Sequence, residues 1–232
     1  MKYQRYKNQE DRFKLISDFK KNRILRTTSI LKQAEVILSL NDCNSVLEIG
    51  SLRGVLSAIL RHFKIDVETI DIEENPFINE PTYLGDFEEI NIQEIKKRYD
   101  LVCAFQVLEH NSFEKFPYFL NKLKSLSKKY IYISLPYEGA YMKFEILTTI
   151  PYLRRSFSLI FNMLSFYFPR PIFLRKNFKQ SKKPSYFHQF EIGGKISIKE
   201  IERVANDIGL KTIISEHNKY FPRHYFFLFQ IE

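Results

Sequence analysis

Acidic residues follow successive apolar runs of the sequence, at the points where each run gives way to a turn. They stand in "VLEIG", "TIDI", "LGDF" and "VLEH" as Glu48, Asp71, Asp86 and Glu109. Ligands of an open parallel sheet bind at the carboxyl ends of its strands. A single acid in such a place serves equally well to cap the following helix, but four in succession favour a binding edge.

A glycine-flanked turn, "EIGSLRG" at residues 48–54, joins the first of these runs to a helical pattern. Its spacing differs from that of nicotinamide dinucleotide sites, because Val55 stands where their last glycine belongs and an acid precedes the turn. No G-K-[ST] follows, which excludes a P-loop. Asp71 comes about 20 residues after Gly50, the offset at which a carboxylate reaches ribose hydroxyls. An adenosine cofactor that carries a cationic group suits these residues best.

These segments resemble the class I S-adenosylmethionine-dependent methyltransferases, in particular the bacterial small-molecule enzymes of the domain 11/23 type. The resemblance is strong over residues 43–139 and weaker over 188–232. It implies S-adenosylmethionine as the cofactor, with Asp71 on the ribose and Asp86 and Phe87 at the adenine. It also places "FQVLEH" beside the methionine moiety and the substrate. The cofactor contacts that it implies are Glu48, Gly50, Ser51, Gly54, Asp71, Ile72, Asp86, Phe87, Gln106 and Glu109.

One position departs from the pattern of that family. Leu52 stands where the middle glycine of G-x-G-x-G usually passes close under the cofactor. A leucine is tolerated there if its side chain points away and its φ stays negative, whereas a positive φ strains any residue with a Cβ. We expect the first arrangement. The second would favour a non-catalytic binding module that retains the fold but has lost the cofactor chemistry.

Two histidines are candidates for the general base that a hydroxyl acceptor calls for. His110 directly follows Glu109, and His188 in "YFHQFEIGG" stands where the strand-and-helix pattern resumes after an aromatic stretch. Each is equally compatible with a surface position or a helix start. The sequence therefore names them as catalytic candidates without separating the two.

The cysteines and the N-terminus bear on the cellular compartment. Cys43 and Cys103 have no close partner in sequence, and no Cys/His cluster has zinc spacing. We therefore predict no metal site and a reduced, cytoplasmic protein. The N-terminus lacks the apolar core of a secretory signal.

Apolar runs alternate with helical patterns through most of the 232 residues. This alternation predicts one doubly wound, Rossmann-like α/β domain with a mostly parallel, seven-stranded sheet. We expect it to comprise an N-terminal helical segment (1–42), a cofactor-binding half (43–139), a substrate-covering insertion (140–187) and a C-terminal helix and strand pair (188–232). The predicted strands are "SVLEI", "DVETIDI", "PTYLGDF", "YDLVCAFQVLEH", "KYIYISLPYEG", "KTIISEH" and "HYFFLFQI".

The insertion bears on the acceptor. Residues 141–187 hold nine basic side chains and one acidic side chain, a charge of +8, which favours an anionic acceptor such as a phosphate-linked sugar or lipid. Within them, residues 156–169 are uncharged but too few to span a bilayer. We expect a lid or a buried helical hairpin, with peripheral contact to a membrane surface as the alternative. RNA or protein acceptors are rival interpretations, although no nucleic-acid-binding motif is present.

Overall fold

The computed structural model describes residues 27–74, 81–138, 140–149, 158–168, 188–218, 221 and 223–232. Within them, helices α1 to α4 span residues 27–38, Val55–His62, Phe116–Leu126 and Ile198–Asp207. Short 3-10 turns lie at Ile92–Glu94, Leu108–His110 and Phe113–Lys115. Strands β1 to β9 span Ser45–Ile49, Asp66–Asp71, Tyr83–Leu84, Tyr99–Phe105, Ser127–Pro136, Ala140–Thr149, Ser158–Phe168, Leu210–His217 and His224–Ile231.

Seven strands form one sheet in the order β3-β2-β1-β4-β5-β9-β8. The first five strands in this order, β3, β2, β1, β4 and β5, are parallel to one another. β9 runs antiparallel to both of its neighbours, β5 and β8. The doubly wound, mostly parallel sheet is therefore confirmed. The chain moves outward from β1 to β3 and then returns to β4, so the topological switch point lies between β1 and β4. Ligands of such sheets bind at this point, beyond the carboxyl ends of the strands.

Both faces of the sheet are buried, which explains why its strands read as continuous apolar runs rather than as alternating ones. Leu47, Val102 and Ile133 point into a core that also contains buried residues of α3 and α4. Their chain neighbours Val46 and Leu101 point to the other face, into a core formed with α1 and α2. Successive strand residues face opposite sides, so each run supplies both cores.

The insertion after β5 forms strands, which contradicts the helical hairpin that was one of two expectations and leaves the lid a prediction. Strands β6 and β7 pair with each other antiparallel, from Ala140 opposite Phe168 to Thr149 opposite Ser158. The expected helices are therefore wrong at these positions, since "SLIFNMLSFYF" is rich in aromatic residues and suits a strand better.

Other expectations for the insertion and the N-terminus lie outside the described residues. These include the side chains of 141–187, the flanking Arg154, Arg155 and Arg170, and the helix expected before residue 27. The helix at 27–38 agrees with the predicted N-terminal helical segment. Among the described helices, none combines the length and the apolar character needed to cross a bilayer.

Candidate cofactor and acceptor site

The glycine loop, residues 50–54, leaves β1 at the switch point. Gly50 has a φ of +76°, and its N–H donates to the carbonyl of Ile70 at 2.8 Å. A Cβ at this position would lie 2.5 Å from Cγ2 of Val107 in the segment after β4. The loop therefore needs glycine here twice over, for its left-handed conformation and for its close contact with that segment.

Leu52 adopts the conformation that the sequence analysis did not expect. Its φ is +48° and its side chain is 58% exposed, so the expectation of a negative φ is wrong. Its backbone N–H donates to Oδ2 of Asp71 at 2.6 Å. A hydrogen bond to a charged group contributes about 1.5–3 kcal/mol, which offsets the roughly 1–2 kcal/mol cost of a left-handed leucine. The loop is thus held without the middle glycine, and cofactor titration has to separate the enzyme from the non-catalytic module that a positive φ favours.

The end of the glycine loop leads directly into α2. Gly54 has a φ of +62° and caps the helix, and its N–H donates to the carbonyl of Ser51 at 2.8 Å. The side chain of Ser51 is buried. The loop is therefore a compact turn that presents mainly backbone to the switch point.

Asp71 is the last residue of β2, and its carboxylate ties two backbone segments together. Oδ2 accepts from Leu52, and Oδ1 accepts from the N–H of Glu73 at 3.1 Å. A carboxylate oxygen can accept more than one hydrogen bond, so both oxygens keep capacity for ligand hydroxyls. Ile72 and Leu84 beside it are 62% and 55% exposed. Such exposed aliphatic side chains at the ends of two paired strands are suited to pack against a planar ring.

Asp86 and Phe87 differ sharply in where their side chains point. Asp86 is exposed and its Oδ1 accepts from the N–H of Glu88 at 2.8 Å. Phe87 is 5% exposed, and its ring stacks against Phe119 with centroids 6.1 Å apart. The ring therefore belongs to the core. The adenine contacts that the resemblance implies for both residues stay predictions.

Glu48 lies inside β1 rather than beyond its end. Its residue is 5% exposed and is paired in register with Thr69 on one side and Cys103 on the other. The backbone register therefore sets it two residues back from the level of Asp71. Its expected contact with the cofactor stays a prediction.

Gln106, directly after β4, is a second non-glycine residue in the left-handed region at this edge, with a φ of +57°. Its N–H donates to the carbonyl of Ser134 at 3.1 Å, and its Nε2 donates to Oγ of the same serine at 3.2 Å. Backbone strain of this kind persists where surrounding structure holds it, and it is common at functional sites. β5 therefore holds the turn that carries the residues after Gln106.

That turn carries Glu109 and His110, and these two residues and His188, from the segment after the insertion, are called the β4 cluster. The side chain of Glu109 has no solvent exposure, and neither of its oxygens has a hydrogen-bond partner among the described residues. Its Oε1 lies 3.8 Å from Nε2 of His188. The rings of the two histidines lie 5.5 Å apart. Both histidines are solvent-exposed, so the cluster joins a buried acid to two accessible imidazoles.

Burial dominates the titration of the acid. It raises the pKa of Glu109 to about 7. The pKa of His188 is raised from its usual value, first by its hydrogen bond to Glu191 and then by the charge of Glu109. Perturbed groups of this kind are more frequent at functional sites than elsewhere.

Backbone contacts hold His188 against the turn after β4. The neighbouring Gln189 donates its N–H to the carbonyl of Glu109 at 2.7 Å and its Nε2 to the carbonyl of His110 at 2.8 Å. Further along, Ile192 donates its N–H to the carbonyl of Pro136 at 2.9 Å. The segment after the insertion is therefore fastened to the ends of β4 and β5, where it brings His188 to Glu109.

Sequence reasoning missed one member of this arrangement. Oε1 of Glu191 lies 2.9 Å from Nδ1 of His188 and fixes the orientation of that ring. The two residues stand three positions apart, which was a local signal that they could meet. The prediction of no metal site depended on spacing along the chain, and spacing cannot show that His188 reaches Glu109 and His110.

No protein-family model and no curated protein matches the sequence, whereas solved structures match the fold. The magnesium protoporphyrin IX methyltransferase of Synechocystis PCC 6803 with bound SAH has a TM-score of 0.57 at 14% identity, over 90% of this chain and 85% of that one. The CcbJ methyltransferase of Streptomyces caelestis has a TM-score of 0.56 at 12% identity, over 88% and 96%. The fold is that of the class I methyltransferases. DesVI of Streptomyces venezuelae shares it, with a TM-score of 0.56 at 11% identity over 97% of this chain and 99% of its own.

Proposed function

We propose that this chain binds S-adenosylmethionine at the switch point of its sheet and transfers the methyl group to a small-molecule acceptor. The observation that carries the proposal is the junction of the glycine loop with Asp71, where the N–H of Leu52 meets a buried carboxylate at 2.6 Å. The fold supports it, because the structures with this fold include proteins crystallised with SAM or SAH.

The cofactor-binding edge offers what an adenosine needs. Asp71 supplies acceptor capacity for the ribose hydroxyls, and the exposed Ile72 and Leu84 supply an apolar surface for the base. Asp86, which is exposed on the loop after β3, is within the same edge and suits the amino group of adenine. A sulfonium is cationic, which fits an edge lined by carboxylates better than a pyrophosphate would.

The acceptor side is the β4 cluster. Methyl transfer from a sulfonium is an in-line displacement, in which alignment of the reactants can supply roughly 7–11 kcal/mol of the barrier. The acceptor loses a proton as its bond to the methyl carbon forms. His110 and His188 are accessible to such an acceptor, and the carboxyl groups of Glu109 and Glu191 lie beside them. This proton therefore leaves toward the cluster.

We propose an anionic acceptor, such as a phosphate-linked sugar or lipid. The support is the charge of residues 141–187, which hold nine basic side chains against one acidic one. The structures with this fold include a 1,6-didemethyltoxoflavin N1-methyltransferase of Burkholderia thailandensis with 1,6-didemethyltoxoflavin bound. Co-sedimentation with anionic and neutral vesicles distinguishes a lipid surface from a free phosphorylated compound, because only a lipid surface would retain the protein.

Calorimetric titration of the protein with S-adenosylmethionine and S-adenosylhomocysteine tests the cofactor. Replacement of Asp71 by alanine removes hydrogen bonds to a charged group worth about 1.5–3 kcal/mol, so we expect affinity to fall roughly 10- to 100-fold. Asp66→Asn is the matched control, because Asp66 begins the same strand at its opposite end and forms only an exposed ion pair with Lys97. We expect it to leave affinity unchanged.

Absence of cofactor binding to the wild type would reject the enzymatic proposal. Binding that is equally strong in Asp71→Ala would place the cofactor elsewhere. Binding as proposed, with no methyl transfer to any acceptor tested in a panel of phosphorylated sugars and lipids, would instead favour a non-catalytic binding module.

A further inference from the structure

The β4 cluster has a donor set that is unusual for a simple acid–base pair. One carboxylate oxygen of Glu109 and one ring nitrogen each of His110 and His188 all lie within 4.8 Å of one another. Two imidazoles and one carboxylate form a common ligand set for divalent first-row metals. Ligand atoms about 2.1 Å from one ion lie roughly 3.0–3.5 Å apart. The ligand atoms of the cluster lie up to 4.8 Å apart, so they must move closer together when an ion binds.

The distance between Glu109 and His188 excludes a direct hydrogen bond and is compatible with two ligands of one ion. Oε1 and Nε2 lie 3.8 Å apart, which is too long for a hydrogen bond. A charge-assisted hydrogen bond would bring these atoms to about 2.7–2.9 Å, and nothing else satisfies either oxygen among the described residues. Two ligands of one ion lie at nearly the observed separation. The buried carboxylate is thus oriented toward His188 without bonding to it.

The other nitrogen of His188 is already engaged in the way that metal ligands are. Nδ1 lies 2.9 Å from Oε1 of Glu191, which leaves Nε2 directed at Glu109. Histidines that bind metals almost always donate their second N–H to a carboxylate or carbonyl, which fixes the ring and raises its basicity. Glu191 therefore occupies the position of an outer carboxylate.

We propose that Glu109, His110 and His188 bind one divalent first-row transition-metal ion, with Glu191 orienting His188 and with open coordination positions for the oxygen of the acceptor. The metal site stands on its own geometry, whereas the role toward the acceptor rests on the proposed function. An ion with three protein ligands keeps at least one position open for water or substrate.

The ion would change how the acceptor loses its proton. A bound divalent metal can lower the pKa of a coordinated water from about 16 to about 7, and it acts in the same way on a coordinated hydroxyl. The hydroxyl proton then leaves to solvent. The alkoxide oxygen attacks the methyl carbon, the carbon–sulfur bond breaks, and S-adenosylhomocysteine leaves with the electron pair on sulfur. In this assignment the imidazoles act as ligands rather than as free bases.

The test uses tag-free full-length protein, stripped with a chelator and titrated with Co²⁺ alone. Visible absorption reports the coordination sphere and calorimetry gives the affinity and stoichiometry. We expect one equivalent bound, with competition by Zn²⁺ and much weaker competition by Mg²⁺, which prefers oxygen ligands. Replacement of a ligand in Glu109→Gln or His188→Asn should weaken binding roughly 100-fold or more, and Glu191→Gln by about 10- to 100-fold.

His62→Asn is the matched control, because it removes another exposed histidine, at the end of α2 and away from the cluster. It should bind Co²⁺ like the wild type. His188→Asn changes a half-exposed side chain, so this variant decides the matter even if Glu109→Gln alters folding. Circular dichroism and thermal melting establish which variants are folded.

Absence of tight binding to the wild type, or equal binding by folded His188→Asn, would overturn the metal site. S-adenosylmethionine titration of the chelated protein separates this outcome from the fate of the proposed function. Cofactor binding without metal binding would reject the ion alone. Metal binding without cofactor binding would retain the site and reject the methyltransferase proposal.

Discussion

The glycine loop and the β4 cluster lie at the carboxyl ends of neighbouring strands, yet they are built in opposite ways. The glycine loop consists of consecutive residues whose backbone N–H groups are bonded to Ser51, Ile70 and Asp71. The β4 cluster depends on side chains from two distant parts of the chain, around a carboxylate with no hydrogen-bond partner among the described residues. The N–H groups of Gly50, Leu52 and Gly54 thus have hydrogen-bond partners without a ligand. The carboxylate of Glu109 has none among the described residues.

This difference indicates how each region meets its ligand. Leu52 and Asp71 are already fixed in place, so a cofactor would find a preorganised surface there and would bind with little reordering. Burial of the Glu109 carboxylate costs free energy that no hydrogen bond from the described residues offsets. Binding of a cation or a proton would offset it. We therefore expect the glycine loop to respond most to substitutions that change its shape. We expect the β4 cluster to respond most to substitutions that change its charge.

The largest change in stability is expected at Gly50, where a substitution alters the shape of the glycine loop. Gly50→Ala combines a left-handed alanine, at about 1–2 kcal/mol, with a methyl group that would meet Val107 at 2.5 Å. With about 1–3 kcal/mol for the overlap, we expect the free energy of unfolding to fall by roughly 2–5 kcal/mol. Chemical denaturation measures this change.

Gly209→Ala is the control that isolates the overlap. Gly209 has a φ of +73°, and its added Cβ would meet the tip of Lys124 at 3.0 Å, whose Nζ donates to the carbonyls of Ile208 and Gly209. We expect it to cost about 1–2 kcal/mol, mainly from the backbone conformation. Equal losses in the two variants would show that the loop moves away from Val107, and the close contact would then not be required.

The charge-sensitive region should respond in the opposite direction. Glu109→Met replaces a fully buried acid by an apolar side chain of similar size, which removes the cost of an unsatisfied polar group. We expect the chelated protein to gain about 1–3 kcal/mol in free energy of unfolding and to lose Co²⁺ binding. Stability is measured by denaturation in the presence of chelator, so that no bound ion contributes.

Glu114→Gln serves as its control, because this nearby acid is exposed and its loss should stay within about 0.5 kcal/mol. A loss of stability in Glu109→Met would mean that the carboxylate contributes to the fold. The contrast between a satisfied loop and an unsatisfied cluster would then fail.

The same contrast explains which parts of the structure could be predicted from the sequence. The sheet and the position of Asp71 followed from apolar runs and from acids at their ends, because those signals are local. The meeting of His188 with Glu109 depends on how a segment beyond the insertion pairs with Pro136, and no spacing encodes that pairing. For the insertion the sequence left a lid and a helical hairpin open, and its aromatic content is more typical of the strands that β6 and β7 form.

The positive φ of Leu52 could not be predicted for a related reason. The glycine spacing of the resembled family identified Leu52 as an unusual residue at this position. Its conformation, however, is set by a hydrogen bond to Asp71, a residue of the next strand. The strength of that bond is a tertiary property. It allows a leucine to hold a conformation that local preference disfavours.

Leu52 therefore gives the smallest but most discriminating test. Leu52→Gly relieves a left-handed leucine worth about 1–2 kcal/mol but adds freedom to the unfolded chain worth about 0.5–1 kcal/mol. We expect a net gain of at most about 1 kcal/mol, with cofactor affinity unchanged because the side chain is exposed. Leu52→Val, which keeps the apolar character but is β-branched, should lose about 1–2 kcal/mol. Denaturation of the two variants measures the backbone strain at residue 52, and calorimetry measures whether its side chain obstructs the cofactor. A large rise in affinity in Leu52→Gly alone would show that the leucine blocks the cofactor, and would favour the non-catalytic module over the enzyme.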